Sequence, residues 1–262
     1  MFMQKAVEIK TREEVAAMRR AGTVVADILV HLCGLVAPGM TTGEIDRIAR
    51  EELKKHGAKP AFLNYHGFPG VICVSINHEI VHGIPSDARK LNGGDIVGLD
   101  FGAVVDRFYG DSAVTVGVGA ISPAAERLVR VTRESLERGI AAVKAGARIG
   151  DIGAAVQVHA EAAGYGVVRD FVGHGIGRAL HEEPPVPNYG KAGTGPRLKA
   201  GMTIAIEPMV NAGGPEAETL DDGWTAVTKD RSLSAHFEHT VLVTEQGADI
   251  LTLPSAPARK IS

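Results

Sequence analysis

The sequence repeats itself once. Val36-Ala37-Pro38-Gly39-Met40-Thr41-Thr42-Gly43-Glu44-Ile45 aligns with Val143-Lys144-Ala145-Gly146-Ala147-Arg148-Ile149-Gly150-Asp151-Ile152. The same offset aligns Leu91-Asn92-Gly93-Gly94-Asp95-Ile96-Val97-Gly98-Leu99-Asp100 with Leu198-Lys199-Ala200-Gly201-Met202-Thr203-Ile204-Ala205-Ile206-Glu207. One offset serving two separate blocks restricts the chain to two like halves. Each half reads as two helices followed by strands, so the expected product is one α+β domain over residues 1–262 with pseudo-twofold symmetry. Its halves span about 11–118 and 122–245, with a tail at 254–262, and both helix pairs pack on one face of a curved, mainly antiparallel sheet.

The helices announce themselves by their caps. Thr11-Arg12-Glu13-Glu14 and Thr41-Thr42-Gly43-Glu44 are capping boxes, and apolar residues recur behind both at helical spacing. These patterns predict one helix from Thr11 to Leu35 and a shorter one ending at His56-Gly57. Ser122-Pro123 opens a third, running to Lys144, and a fourth spans Gly150 to Ala163. Val71–Ile76 reads as a strand. Ile96–Val116 reads as a hairpin turning near Val105 to Arg107, which sets Asp100 roughly opposite Asp111.

Two carboxylates across a ladder repel each other and lose hydration as they are buried. Either they lie at a solvated sheet end, or a cation lies between them. The repeat bears on that choice by placing Glu207 at the position of Asp100. A fourth acid, Glu238, interrupts the strand-like Ala235–Val243, and acids inside apolar strands need partners. His174, in Phe171-Val172-Gly173-His174-Gly175-Ile176-Gly177, sits where glycines admit close backbone approach. Four hard oxygen donors and one imidazole suit a pair of divalent transition ions.

Other chemistries are disfavoured. A net charge of -3 with dispersed basic residues gives no footprint for nucleic acid or an anionic membrane. Met1–Glu8 lacks the apolar region of a signal peptide, which points to the cytoplasm, and Cys33 and Cys73 are too few for a disulfide framework. His78-Glu79-Ile80-Val81-His82 matches a zinc-peptidase word that works only on a helix. Here it is flanked by a strand end and Gly83-Ile84-Pro85.

The ordered set Asp100, Asp111, His174, Glu207 and Glu238 lies among Tyr65-His66-Gly67-Phe68-Pro69, His82-Gly83-Ile84-Pro85 and His181-Glu182-Glu183-Pro184. Together they resemble the type I methionine aminopeptidases over nearly the whole chain. The resemblance implies the pita-bread fold and removal of the initiator methionine from nascent polypeptides, preferentially when the second residue is small. It also implies two divalent ions (cobalt, manganese, iron or zinc). Asp100 would bind one ion, Asp111 and Glu238 would bridge both, and His174 and Glu207 would complete the second. Glu207 would serve as general base, His181 would stabilise the oxyanion, and His82 would contact the scissile amide. Tyr65, Phe68, Cys73, Leu180 and Trp224 match the family's side-chain pocket. A monomer meeting its substrate at the ribosome is expected. Two other readings stand beside this one: a proline-directed aminopeptidase of the same fold, and a non-catalytic binding protein that has kept the fold.

Overall fold

The computed structural model describes residues 7–256. The leaderless start read at Met1–Glu8 and the tail read at 254–262 therefore fall partly outside the described residues. Within them, Ser255 donates its N–H to Asp27 at 2.8 Å, so the beginning of the tail is tied to the first helix.

Helices α1 (Arg12–Leu35) and α2 (Thr42–Lys55) carry the capping boxes the sequence requires. In α1 the Thr11 hydroxyl accepts the Glu14 N–H, and the Glu14 carboxylate accepts the Thr11 N–H at 2.8 Å. Short β1 (Lys59–Pro60) follows, then β2 (Ile72–Ile76), β3 (Glu79–Val81), β4 (Ile96–Val105) and β5 (Phe108–Gly117). The second half opens with α3 (Pro123–Ala141) and α4 (Ile149–Ala162). Helix α3 stops short of Lys144 because its last turn tightens, with Val143 N–H bonding Ile140 O at 3.0 Å. Strands β6 (Gly166–Val167), β7 (Gly173–Gly175), β8 (Glu182–Val186), β9 (Thr203–Ile206) and β10 (Met209–Asn211) come next. They are followed by β11 (Ala217–Thr219), β12 (Ala226–Thr228), β13 (Ser234–His236), β14 (Glu238–Val243) and β15 (Ala248–Ile250).

The principal sheet has nine strands, all paired antiparallel, in the order β1-β4-β5-β14-β9-β7-β8, with β2 also on β4 and β15 also on β14. The repeat is written into the hydrogen bonds. Gly39 N–H meets Leu91 O at 2.8 Å, and Gly146 N–H meets Leu198 O at 2.9 Å. The bridge Thr41–Lys90 is matched by Arg148–Arg197. Gly39 and Gly146 hold φ of 90° and 89°, a left-handed conformation that glycine adopts without strain. The cores correspond as well: Leu29, Ile45, Leu91, Val97 and Leu99 lie in one, and Leu136, Ile152, Leu198, Ile204 and Ile206 in the other.

Strand alternation then decides where the acids go. Leu99 and Phe101 are fully buried in the core beneath α1, so Asp100 between them faces the opposite side of the sheet. The hairpin turns on two residues, Asp106 and Arg107, both at positive φ (50° and 71°), and this pairs Asp100 with Ala113 and Asp111 with Gly102. Asp100 and Asp111 are thus diagonal neighbours, not directly opposite as the sequence suggested. The turn is centred one residue later along the chain than an Asp100–Asp111 pairing requires. Because the register differs by an even step, both acids keep the same face.

Candidate active site

Across the sheet, Cys73 on β2 pairs with Asp100 on β4, Asp100 with Ala113 on β5, and Ala113 with Glu238 on β14. His239 pairs with Ile206, which brings Glu207 beside Glu238 where β9 ends at Pro208. Small residues pair with the acids, Ala113 with Asp100 and Gly102 with Asp111, and Gly102 admits the close packing of Ala61 and Phe62. A Cβ on Gly102 would meet Ala61 and Phe62 at 2.8 Å. His174 enters from β7 at a register shift against β8, an irregularity that turns its ring toward the acids.

Every residue given a ligand, catalytic or pocket role from the sequence lines one cavity of about 380 Å³. Asp111, His174 and Glu238 each offer a ligand atom within 4.8 Å of the others, and His174 Nε2 lies 3.4 Å from Glu207 Oε1. His174 Nδ1 meets Gly175 O at 2.8 Å. As the donor of that bond it leaves the Nε2 lone pair directed at the carboxylates, the usual arrangement of a metal-ligating histidine. His82, at φ 61°, sets its ring edge-on to Phe171 and Trp224. Its neighbours Glu79–Val81 form a strand, so the zinc-peptidase word has no helix to work on. Tyr65 Oη lies 2.6 Å from His181 Nδ1 at the mouth.

Sequence reasoning passed over Phe62, His66, Val81, Asp170, Phe171 and Val172, which also line the cavity. Each flanks a residue that was chosen, and nothing in its own type distinguished it from core or loop.

The electrostatics call for a cation. Burial raises Asp100 to about 7. Burial, and after it the neighbouring carboxylates, push Asp111, Glu207 and Glu238 well above the usual range. Among the described residues no lysine or arginine lines the cavity, and Asp111 Oδ1 and Glu238 Oε1 are buried without a hydrogen-bond partner. Orphaned oxygens beside a free imidazole nitrogen are the donor set of a divalent transition metal.

The same shifts set the stability of the metal-free protein. Burial holds His82 and His239 to about 4, and His174 and His236 to about 3. These rings cost stability below about pH 6.5, where the unfolded chain binds protons that the fold does not. The raised carboxylates act oppositely: their stabilisation is complete below the unfolded carboxylate range near pH 4 and is lost as pH rises to the folded values, Asp100 reaching its own at about 7 and the others higher. Above about pH 6.5 only the carboxylates still act, so the melting temperature of metal-free protein is expected to fall between about pH 6.5 and 8.5. Excess Mn²⁺ should abolish the decline. Calorimetry showing a flat metal-free profile would mean that the acids are already ionised.

Comparison with known proteins places the chain in a family. The metallopeptidase family M24 model matches residues 16–245. The chain belongs to metallopeptidase family M24. This M24 peptidase is 54% identical over 251 residues to methionine aminopeptidase A of a Synechocystis strain, covering 96% of this chain and 99% of the relative. The crystal structure of methionine aminopeptidase from Thermotoga maritima superposes with a TM-score of 0.93 at 48% identity, covering 94% and 99% of the two chains. A prolidase from Pyrococcus furiosus superposes with a TM-score of 0.76 at 25% identity, and the match takes in 66% of that longer chain. The M24 peptidase therefore has the pita-bread fold that its sequence resemblance implied, and its family and its buried Asp111, His174 and Glu238 cluster support the use of a divalent metal.

Proposed function

We infer that this M24 peptidase is a methionyl aminopeptidase, removing the amino-terminal methionine of polypeptides, preferentially before a small second residue. The observation that carries the reading is one cavity joining the buried Asp111, His174 and Glu238 and the partly buried Asp100 and Glu207 to a wall of Tyr65, Phe68, Cys73, Leu180 and Trp224. Phe68 and Trp224 meet edge to face at 5.1 Å. A thioether sulfur against such ring edges gains about 0.3–1.5 kcal/mol per contact.

Asp100 would hold one ion, Asp111 and Glu238 would be shared by two, and His174 with Glu207 would hold the second. Bound there, the ions supply Lewis acidity that brings a water towards ionisation near neutral pH. Glu207 takes the proton of the attacking water and later delivers one to the leaving amine. His181 is held neutral by burial, then by His66. A neutral ring carries one N–H, so with the Tyr65 phenol as donor to Nδ1 that hydrogen sits on Nε2, ready for the developing oxyanion. His82, also neutral, faces the scissile amide.

The peptidase works as a cytoplasmic monomer on nascent chains at the ribosome. Among the described residues no helix is long and apolar enough to cross a membrane. A proline-directed activity is less well supported, since the prolidase likeness is lower in both identity and coverage.

Metal-stripped protein given a Met-Ala-Ser peptide should release methionine only when manganese, iron, cobalt or zinc is added back singly. Release from an Xaa-Pro peptide instead, or from neither peptide, would overturn the assignment.

A further inference from the structure

Lys10 precedes α1 and does not line the catalytic cavity, yet its side chain is 1% exposed. Its ammonium meets Glu182 Oε2 at 2.6 Å, and the Glu182 side chain is itself 15% exposed. The other oxygen of that carboxylate, Oε1, accepts the Arg178 and Ala179 N–H groups at 2.7 and 3.1 Å. Glu182 therefore shapes the loop that presents Leu180 and His181 to the cavity. The lysine stem fills the space beside Gly177, where a Cβ would collide with Lys10 Cε. Its backbone N–H bonds Gly201 O at 2.8 Å, in the turn that leads into β9 and Glu207.

We propose that Lys10 is a positioning residue that locks the His181 loop to the strand carrying Glu207, fixing the oxyanion donor relative to the base. The proposal rests on the roles given above to His181 and Glu207. The loop has a second ion pair, Arg178–Glu14 at 2.6 Å, but the Arg178 side chain is 48% exposed and that pair is screened by solvent. Lys10 and Glu182 are deep enough that removing one strands the other. Glu8 also approaches Lys10 Nζ, at 3.3 Å, but its side chain is 58% exposed and that pair is screened by solvent.

Lys10→Met keeps the stem and removes the charge. In manganese-loaded enzyme its kcat on Met-Ala-Ser is expected to fall about tenfold, with KM changed by less than about twofold and metal content intact, since small misplacements of reacting groups are costly. Two readouts separate positioning from general destabilisation. In a His181→Ala background, Lys10→Met should change kcat by less than about twofold, because the group it positions is gone. In metal-free protein, amide exchange at Arg178 and Ala179 should quicken about tenfold or more while the β4–β5 amides stay unchanged. Adding Glu182→Gln to Lys10→Met removes the stranded charge and should restore folding while kcat stays low, because the tether is still missing, which keeps the test valid if the single variant misfolds; recovery of most of kcat in the double variant would overturn the proposal. Independent, additive losses with His181→Ala, or unchanged exchange at Arg178 and Ala179, would overturn the proposal. Full turnover in His181→Ala alone, with fast exchange in Lys10→Met, would instead overturn the donor role of His181: the tether would stand without its catalytic purpose.

Discussion

A Glu207→Gln enzyme should bind its peptide and turn it over about a thousandfold more slowly, the scale expected when a positioned general base is lost. The substitution preserves shape, so Ile206 and the β9–β14 ladder are undisturbed. What changes is charge. Glu207 is raised by burial first and then by Asp111 and Asp100, and the amide relieves that repulsion. The metal-free variant should therefore melt above the metal-free parent while its affinity for divalent ions falls, the usual opposition between a strained site and a stable fold. Methionine release, metal content and calorimetry measure the three effects. Retention of more than a tenth of parental turnover would remove Glu207 from the role of base.

His181→Ala is expected to cost about 10²–10³ in kcat, the range for deleting one oxyanion donor. Metal content should stay at the parental level, because the His181 side chain lies outside the tight cluster of Asp111, His174 and Glu238. Its ring is 4.2 Å from that of His174, centroid to centroid, so a loss of metal in this variant would show that the two rings act as one unit and that the donor role is wrong.

The sequence disclosed different parts of the molecule for different physical reasons. Helix starts were legible because capping boxes are local: Thr11 with Glu14 and Thr41 with Glu44 complete their bonds within three residues. The acids were legible because a carboxylate between core residues is costly anywhere, and Leu99-Asp100-Phe101 says so without a partner in view. The diagonal placement of Asp111 was not, since it hangs on two residues at positive φ, and Asp106-Arg107 is not a usual pair for such a turn. The link from Lys10 to Glu182 was hidden altogether. It depends on a space beside Gly177 that exists only once distant segments have packed.

One topological detail bears on how the enzyme comes into being. Strand β14, which carries Glu238, sits between β5 and β9 in the principal sheet, yet among the described residues β15 is the one strand that follows it in the chain. On a ribosome adding about 5–20 residues per second, Asp100 and Asp111 emerge seconds before the chain that completes their surroundings. Until then the edge of β5 lacks its neighbour, and the donors needed to retain an ion are not assembled. A chain stopped before Glu238 would have neither a continuous sheet nor a complete site. If these acids hold the metal as proposed, its loading waits on the synthesis of β14, and a chain interrupted before that strand offers the cell's proteases an open edge.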